Sequence, residues 1–142
     1  MVNKIRYFDK GVIPLEQTEK GNWIDVRSNI EKEYKAGDFF LIPLGFAMEL
    51  KENEEAILAP RSSTFKNWGV IQTNSFGVID ASYSGNDDQW MIPFYAMRDG
   101  KINKGDRVGQ FRIQERMPKR EFLPVDNLQS SNRGGFGSTG IQ

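Results

Sequence analysis

The feature that most constrains this chain is the shortness of its apolar runs. "KIRYF", "WIDVRS", "EAILAP", "GVIQT", "FGVIDASY", "QWMIPFYAM" and "DRVGQFRI" are rich in Phe, Tyr, Ile and Val, and Gly, Asn, Asp or Pro punctuates them. Many short runs at this spacing predict an antiparallel sandwich or barrel. "KAGDFFLIPLGFAMEL" reads as two strands around a turn at Pro43 to Gly45. "MRDGKINKGDRV" carries a hairpin signal at Asp99-Gly100, then a second turn at Lys104-Gly105. One stretch departs from this pattern. "RSSTFKNWG" offers Ser62 and Ser63 as N-caps and Gly69 as the residue past the end, which predicts a single short helix from about Ser63 to Trp68. The expected class is therefore all-β with one short helix. From Gln129 onward the chain turns to Ser, Asn and Gly, so residues 1–129 are expected to form one β domain and residues 130–142 a flexible arm.

The 142 residues suffice for one domain with a real core. Lys+Arg and Asp+Glu are both 19, and this balance argues against nonspecific binding to nucleic acid. Cysteine and histidine are absent, which excludes disulfides, thiolate or imidazole metal sites and imidazole acid–base chemistry. Catalysis would have to use carboxylates, hydroxyls, amides, Arg/Lys or a hard cation such as Mg²⁺. No apolar run approaches the ~20 residues of a membrane span, and the N-terminus lacks a signal-peptide core. A cytoplasmic location without a membrane partner is the expectation.

Several short motifs have both an ordinary and a chemical reading. "PRSS" places Arg61, Ser62 and Ser63 at a helix start, either as a plain cap or as an anion site. In "TNSFGVIDASYSG", Asp80 either ends a strand or holds a water as general base, and Tyr83 either packs or stacks. In "GDRVGQFRI", Asp106 and Arg107 read as a turn pair, and Gln110 either sits half-buried in a strand or holds a phosphate oxygen. Asp87 and Asp88 are best read as a polar turn, and Trp90 as core. The terminal "RGGFGSTG" is either a disordered tail or a loop whose backbone N–H groups converge on an anion.

The order of these pieces carries more weight than any one of them. Asp25-Val26, "PRSS", "GVIDASYSG", "GDRVGQ" and terminal "RGGFGSTG" follow one another across nearly the whole chain. This order resembles the homotrimeric dUTPases. The resemblance implies a jelly-roll-like β sandwich, three sites at subunit interfaces, and a C-terminal arm that closes a neighbour's site. It also implies hydrolysis of dUTP to dUMP and pyrophosphate with Mg²⁺, which limits uracil in DNA and supplies dUMP. Asp80 would orient the attacking water, Tyr83 would pack against the deoxyribose, and Asn74 would lie near the base. Uracil would be read by the backbone around Gly77, Ile79 and Tyr83. Arg61, Ser62, Ser63 and Gln110 would bind phosphate, Gly137, Ser138 and Thr139 would contact the terminal phosphate, and Arg133 would add a donor. Phe136 matches the aromatic lid, with Trp90, Phe94 or Tyr95 as further candidates for base cover. Asp25 matches the acid that helps hold hydrated Mg²⁺. Two departures stand out: "GNWIDV" lacks the glycine two residues before the acid, and Arg133 runs straight into Gly134. The nearest rival is a dCTP deaminase, which needs a glutamate that is absent between Gly85 and Lys101. A second rival is a non-catalytic nucleotide-binding regulator on the same fold.

Overall fold

The computed structural model describes residues 1–135. Short strands follow one another along the chain: β1 (Ile5–Tyr7), β2 (Ile24–Arg27), β3 (Lys32–Tyr34), β4 (Phe39–Pro43), β5 (Phe46–Met48) and β6 (Glu54–Ala59). The helix α1 (Thr64–Trp68) comes next, then β7 (Val70–Gln72), β8 (Gly77–Ile79), β9 (Met91–Ala96), β10 (Gly100–Ile102) and β11 (Arg107–Glu115). Every pairing is antiparallel. A four-stranded sheet runs β2-β11-β6-β8 and a three-stranded sheet runs β4-β9-β7, with β1-β5 and β10-β3 as two small ribbons.

Alternation within the strands explains the layers. In β6, Glu54, Ala56 and Leu58 are buried while the residues between them are half-exposed. In β9, Ile92, Phe94 and Ala96 are buried and Met91 and Tyr95 face out. The inward residues of the two larger sheets meet in one core. Trp90 is fully buried there, with its ring 5.0 Å from Phe46 and 5.0 Å from Phe111, so it is a core residue and not a base cover. Gly109 marks a close approach of the sheets. A Cβ at that position would lie 2.7 Å from Ile92 and 3.1 Å from the Ala59 carbonyl oxygen.

Three local expectations need correction. Asp99-Gly100 is not a hairpin turn, because β9 and β10 belong to different sheets. The Asp99 carboxylate instead accepts from the Ala36 N–H at 2.8 Å. Gly100 is required by packing: a Cβ there would lie 2.6 Å from the Tyr34 hydroxyl. Ser63 occupies the N-cap position, yet neither it nor Ser62 caps the helix by its side chain. Thr64 Oγ1 instead reaches back to accept the Arg61 N–H at 2.8 Å, which ties down the segment leading into the helix. Strand β3 has no counterpart among the expected runs, since Lys32 and Glu33 hide a strand whose one buried residue is Tyr34. The turn at Gly45 (φ 82), the helix stop at Gly69 (φ 65) and the turn at Gly105 (φ 93) stand where they are expected. Asp88 does form a turn, accepting the Gly85 N–H at 2.9 Å. Among the described residues, no helix is long and apolar enough to cross a membrane.

Candidate functional site

Strand β11 lies between β2 and β6, and its register assembles the first cluster. Gln110 faces Asp25 on one side and Ala59 on the other. Two residues past Ala59 the chain reaches Arg61, so three segments far apart in sequence meet at one end of the sheet. Arg61 Nε lies 3.1 Å from Asp25 Oδ1, and Arg107 Nε lies 3.8 Å from Asp25 Oδ2. Gln110 Nε2 donates to the Pro60 carbonyl at 3.1 Å, and Arg61 donates to the Arg107 carbonyl at 3.4 Å. The guanidinium groups are thus held in place by the chain's own carboxylate and carbonyl oxygens. Ser62 is exposed beside them, and Ser63 is half-buried. A cleft of about 280 Å³ between Arg61, Ser62, Phe65, Ile71, Gln72 and Ser75 continues this end.

The second cluster lies at the other end of β6. Gly77 faces Leu58 and Ile79 faces Ala56, so Asp80 emerges beyond Ala56 toward Glu55. Six residue steps lead from Glu55 to Arg61, on the order of 20 Å at strand rise. Asp80 is exposed, and its carbonyl accepts the Tyr83 N–H at 2.9 Å in the turn that follows β8. Tyr83 is 39% exposed, and its hydroxyl donates to the Gln89 carbonyl at 2.8 Å, which pins the ring across the turn. Burial, then the nearby Asp88 carboxylate, push the Tyr83 phenol above its ordinary pKa, so it stays neutral. Asn74 lies on the exposed loop between β7 and β8, where its Oδ1 accepts from Gln72 Nε2 at 2.9 Å. One chain therefore brings Asp25, Arg61 and Gln110 together and keeps Asp80 and Tyr83 apart from them.

Arg133 is exposed and is followed by Gly134 at φ 82. Phe136, Gly137, Ser138 and Thr139 lie outside the described residues. Of the other candidates for base cover, Phe94 is buried in the core and Tyr95 faces outward from β9.

A profile of the dUTPase family matches residues 9–140. The chain belongs to the dUTPase family. It is 53% identical over 139 residues to the SPbeta prophage-derived deoxyuridine 5'-triphosphate nucleotidohydrolase YosS of Bacillus subtilis (strain 168), with 98% of each chain covered. It is 36% identical over 146 residues to the deoxyuridine 5'-triphosphate nucleotidohydrolase of Clostridium acetobutylicum, covering 100% of this chain and 99% of that one. Among solved structures, the dUTPase of Streptococcus mutans superposes with a TM-score of 0.70 at 25% identity, over 88% of this chain and 98% of that chain. The Staphylococcus bacteriophage 80alpha dUTPase with dUPNHPP superposes with a TM-score of 0.79 at 18% identity, over 99% of each chain. The sandwich is the jelly-roll-like fold of dUTPases.

Two residues near the site receive no role from the motif order. Arg107, which reads as half of a turn pair, shares the Asp25 carboxylate with Arg61. Nothing in its spacing announces this, because the pairing of β2 with β11 creates it. Gln72 is buried in β7, and it does leave a signal: an amide at an inward position of the run "GVIQT".

Proposed function

We propose that the chain hydrolyses dUTP to dUMP and pyrophosphate, in the cytoplasm, as a homotrimer with its sites between subunits. The end-to-end 53% identity to a deoxyuridine 5'-triphosphate nucleotidohydrolase carries this reading. The geometry supports it. Arg61 and Gln110 form a preset phosphate grip, braced by Asp25. Asp80 is an exposed carboxylate in the same turn as Tyr83, suited to accept a proton from water next to a sugar. The two stand at opposite ends of β6, so a complete site needs a second copy of the chain. The outer face of the β4-β9-β7 sheet, with Phe39, Leu41, Ile71 and Tyr95 exposed, offers an apolar surface for packing copies together.

In the reaction, water attacks the α-phosphorus as Asp80 accepts its proton. The bond from that phosphorus to the bridging oxygen breaks, and pyrophosphate leaves in line. Arg61, Ser62, Ser63 and Gln110 steady the phosphates. Residues 130–142 would close over the site as an arm, with Arg133 adding charge and Phe136 covering the base. Gly137, Ser138 and Thr139 would meet the terminal phosphate. Gly77, Ile79 and Tyr83 would present backbone and ring to the nucleoside. The donor set suits Mg²⁺ carried by the triphosphate and its own waters: among the described residues no three carboxylates gather, and both Asp25 oxygens already face arginines. Asp25 would accept hydrogen bonds from those waters. When bound, Mg²⁺ neutralises charge on the triphosphate oxygens.

The test is pyrophosphate release from dUTP beside dCTP, dTTP and UTP, with and without Mg²⁺. Selective, Mg²⁺-dependent release from dUTP is expected. Ammonia from dCTP, or dUTP binding without turnover, would overturn the reading. Deleting residues 131–142 should cripple hydrolysis while sedimentation still reports a trimer. A truncated protein at full rate would remove the arm from the mechanism.

A further inference from the structure

The buried amide of Gln72 has no role in the mechanism above, yet it touches Asn74, the residue that the family resemblance places near the base. Gln72 is 4% exposed, on the inner face of β7. Its Nε2 donates to the Leu58 carbonyl on β6 at 3.0 Å and to Asn74 Oδ1 at 2.9 Å. The orientation of both amides follows from one atom. A backbone carbonyl can only accept, so the end of Gln72 facing Leu58 must be the NH₂ group. Its other hydrogen then points at Asn74, so the facing atom of Asn74 must be oxygen. This leaves the Asn74 NH₂ on the far side, above Gly77. A Cβ on Gly77 would come within 3.3 Å of that nitrogen.

The remaining atom of Gln72 makes stability a poor explanation for the residue. Gln72 Oε1 is buried with no hydrogen-bond partner among the described residues. A buried acceptor without a partner is a net cost, and an apolar side chain of similar size would avoid it.

We propose that Gln72 is a positioning residue that fixes which end of the Asn74 amide meets the substrate base. Asn74 then offers N–H donors to the 4-oxo group of uracil and opposes the 4-amino group of cytosine. This inference rests on the dUTP reading and extends it to a residue that touches no substrate. A hydrogen-bonding pair matched to one partner rejects a reversed donor–acceptor pattern far better than shape alone can.

The experiment compares affinities for dUTP and dCTP by calorimetry, alongside pyrophosphate release. Gln72→Leu frees the Asn74 amide to turn, and the dUTP/dCTP affinity ratio should fall roughly tenfold. Asn74→Asp keeps the Gln72 contact and turns an acceptor toward the base, so the ratio should fall at least as far. In an Asn74→Ala background, Gln72→Leu should change the ratio no further. A merely structural role for Gln72 would weaken both nucleotides together and leave the ratio alone, and that result overturns the inference. Asn74 is exposed, so Asn74→Asp reads base choice even if Gln72→Leu does not fold, and an unchanged ratio there is equally fatal. Intact discrimination without turnover would sink the hydrolase reading and leave this one standing. Absence of binding by either nucleotide would sink both.

Discussion

Two carboxylates at opposite ends of one strand invite comparison. Asp25, near the Arg61 end of β6, is held by two guanidinium groups at 3.1 and 3.8 Å. Asp80, beyond the Ala56 end, is exposed, and among the described residues it has no ion pair. The difference fits their chemistry. A carboxylate paired with two arginines is a brace: it holds the guanidinium groups in place and keeps only part of its lone-pair capacity for waters. A carboxylate that must take a proton from water needs its lone pairs free. Had the fold placed Asp80 beside Arg61 in the same chain, the two would pair and neutralise each other. In the proposed mechanism, opposite ends of a strand would keep the base and the cation apart until a second copy and a substrate bring them together.

The comparison breaks most decisively through mixed subunits. Asp80→Asn should lower kcat by about 10²–10⁴ while leaving nucleotide binding measurable. Arg61→Ala should cripple the other end of the strand. If each site takes Asp80 from one copy and Arg61 from another, co-refolding the two inactive variants in equal amounts should restore about a quarter of wild-type activity. A mixture as inactive as its parts would place both residues in a site on one chain, and the separation along β6 would lose its meaning. An Asp80→Asn protein with full turnover would remove Asp80 from the chemistry altogether.

A smaller effect sharpens the role of the open end. Tyr83→Ala should reduce discrimination between dUTP and UTP by roughly tenfold to a hundredfold, since the ring would no longer crowd a 2′-hydroxyl. Tyr83→Phe keeps the ring and loses only the hydrogen bond to Gln89, so it should hold most of the selectivity. Equal dUTP/UTP ratios in wild type and Tyr83→Ala would leave the ring a packing residue.

The same contrast explains what the sequence could tell. The open end is local: Ile79, Asp80 and Tyr83 lie within one strand and its turn, so their spacing alone places them together. The alternating runs were equally legible, because burial on one face of a strand repeats every second residue. The braced end is not local. Arg107 reaches Asp25 only through the pairing of β11 with β2, and no spacing within "GDRVGQ" encodes that partner. Asp99-Gly100 misled for a related reason. Its glycine answers the crowding of Tyr34 from a distant strand, whereas a hairpin signal assumes a local cause. Short charged strands such as β3 fail the same test, since only pairing with β10 makes them strands.

The smallest expected effect concerns what steadies the open end. Glu54 begins β6 and is 7% exposed. Its Oε1 accepts the Lys51 N–H at 2.9 Å and Asn3 Nδ2 at 2.9 Å. The Lys51 backbone hydrogen bond is the main cause that holds its carboxyl below the ordinary 4.5, with Asn3 and the Lys51 charge adding to it against the opposing pull of burial. A depressed pKa contributes stability that is complete above the unfolded value and disappears as pH falls through the folded one. The wild-type melting temperature should therefore drop as pH falls below about 5. Glu54→Gln keeps an acceptor oxygen but cannot titrate, so its melting curve should be flatter over that range. Its dUTP turnover at neutral pH should stay near wild type, because Glu54 is a strut for the strand and not part of the site. Parallel acid profiles for the two proteins would show that the strand start needs no charge there, and that the open end is steadied by packing alone.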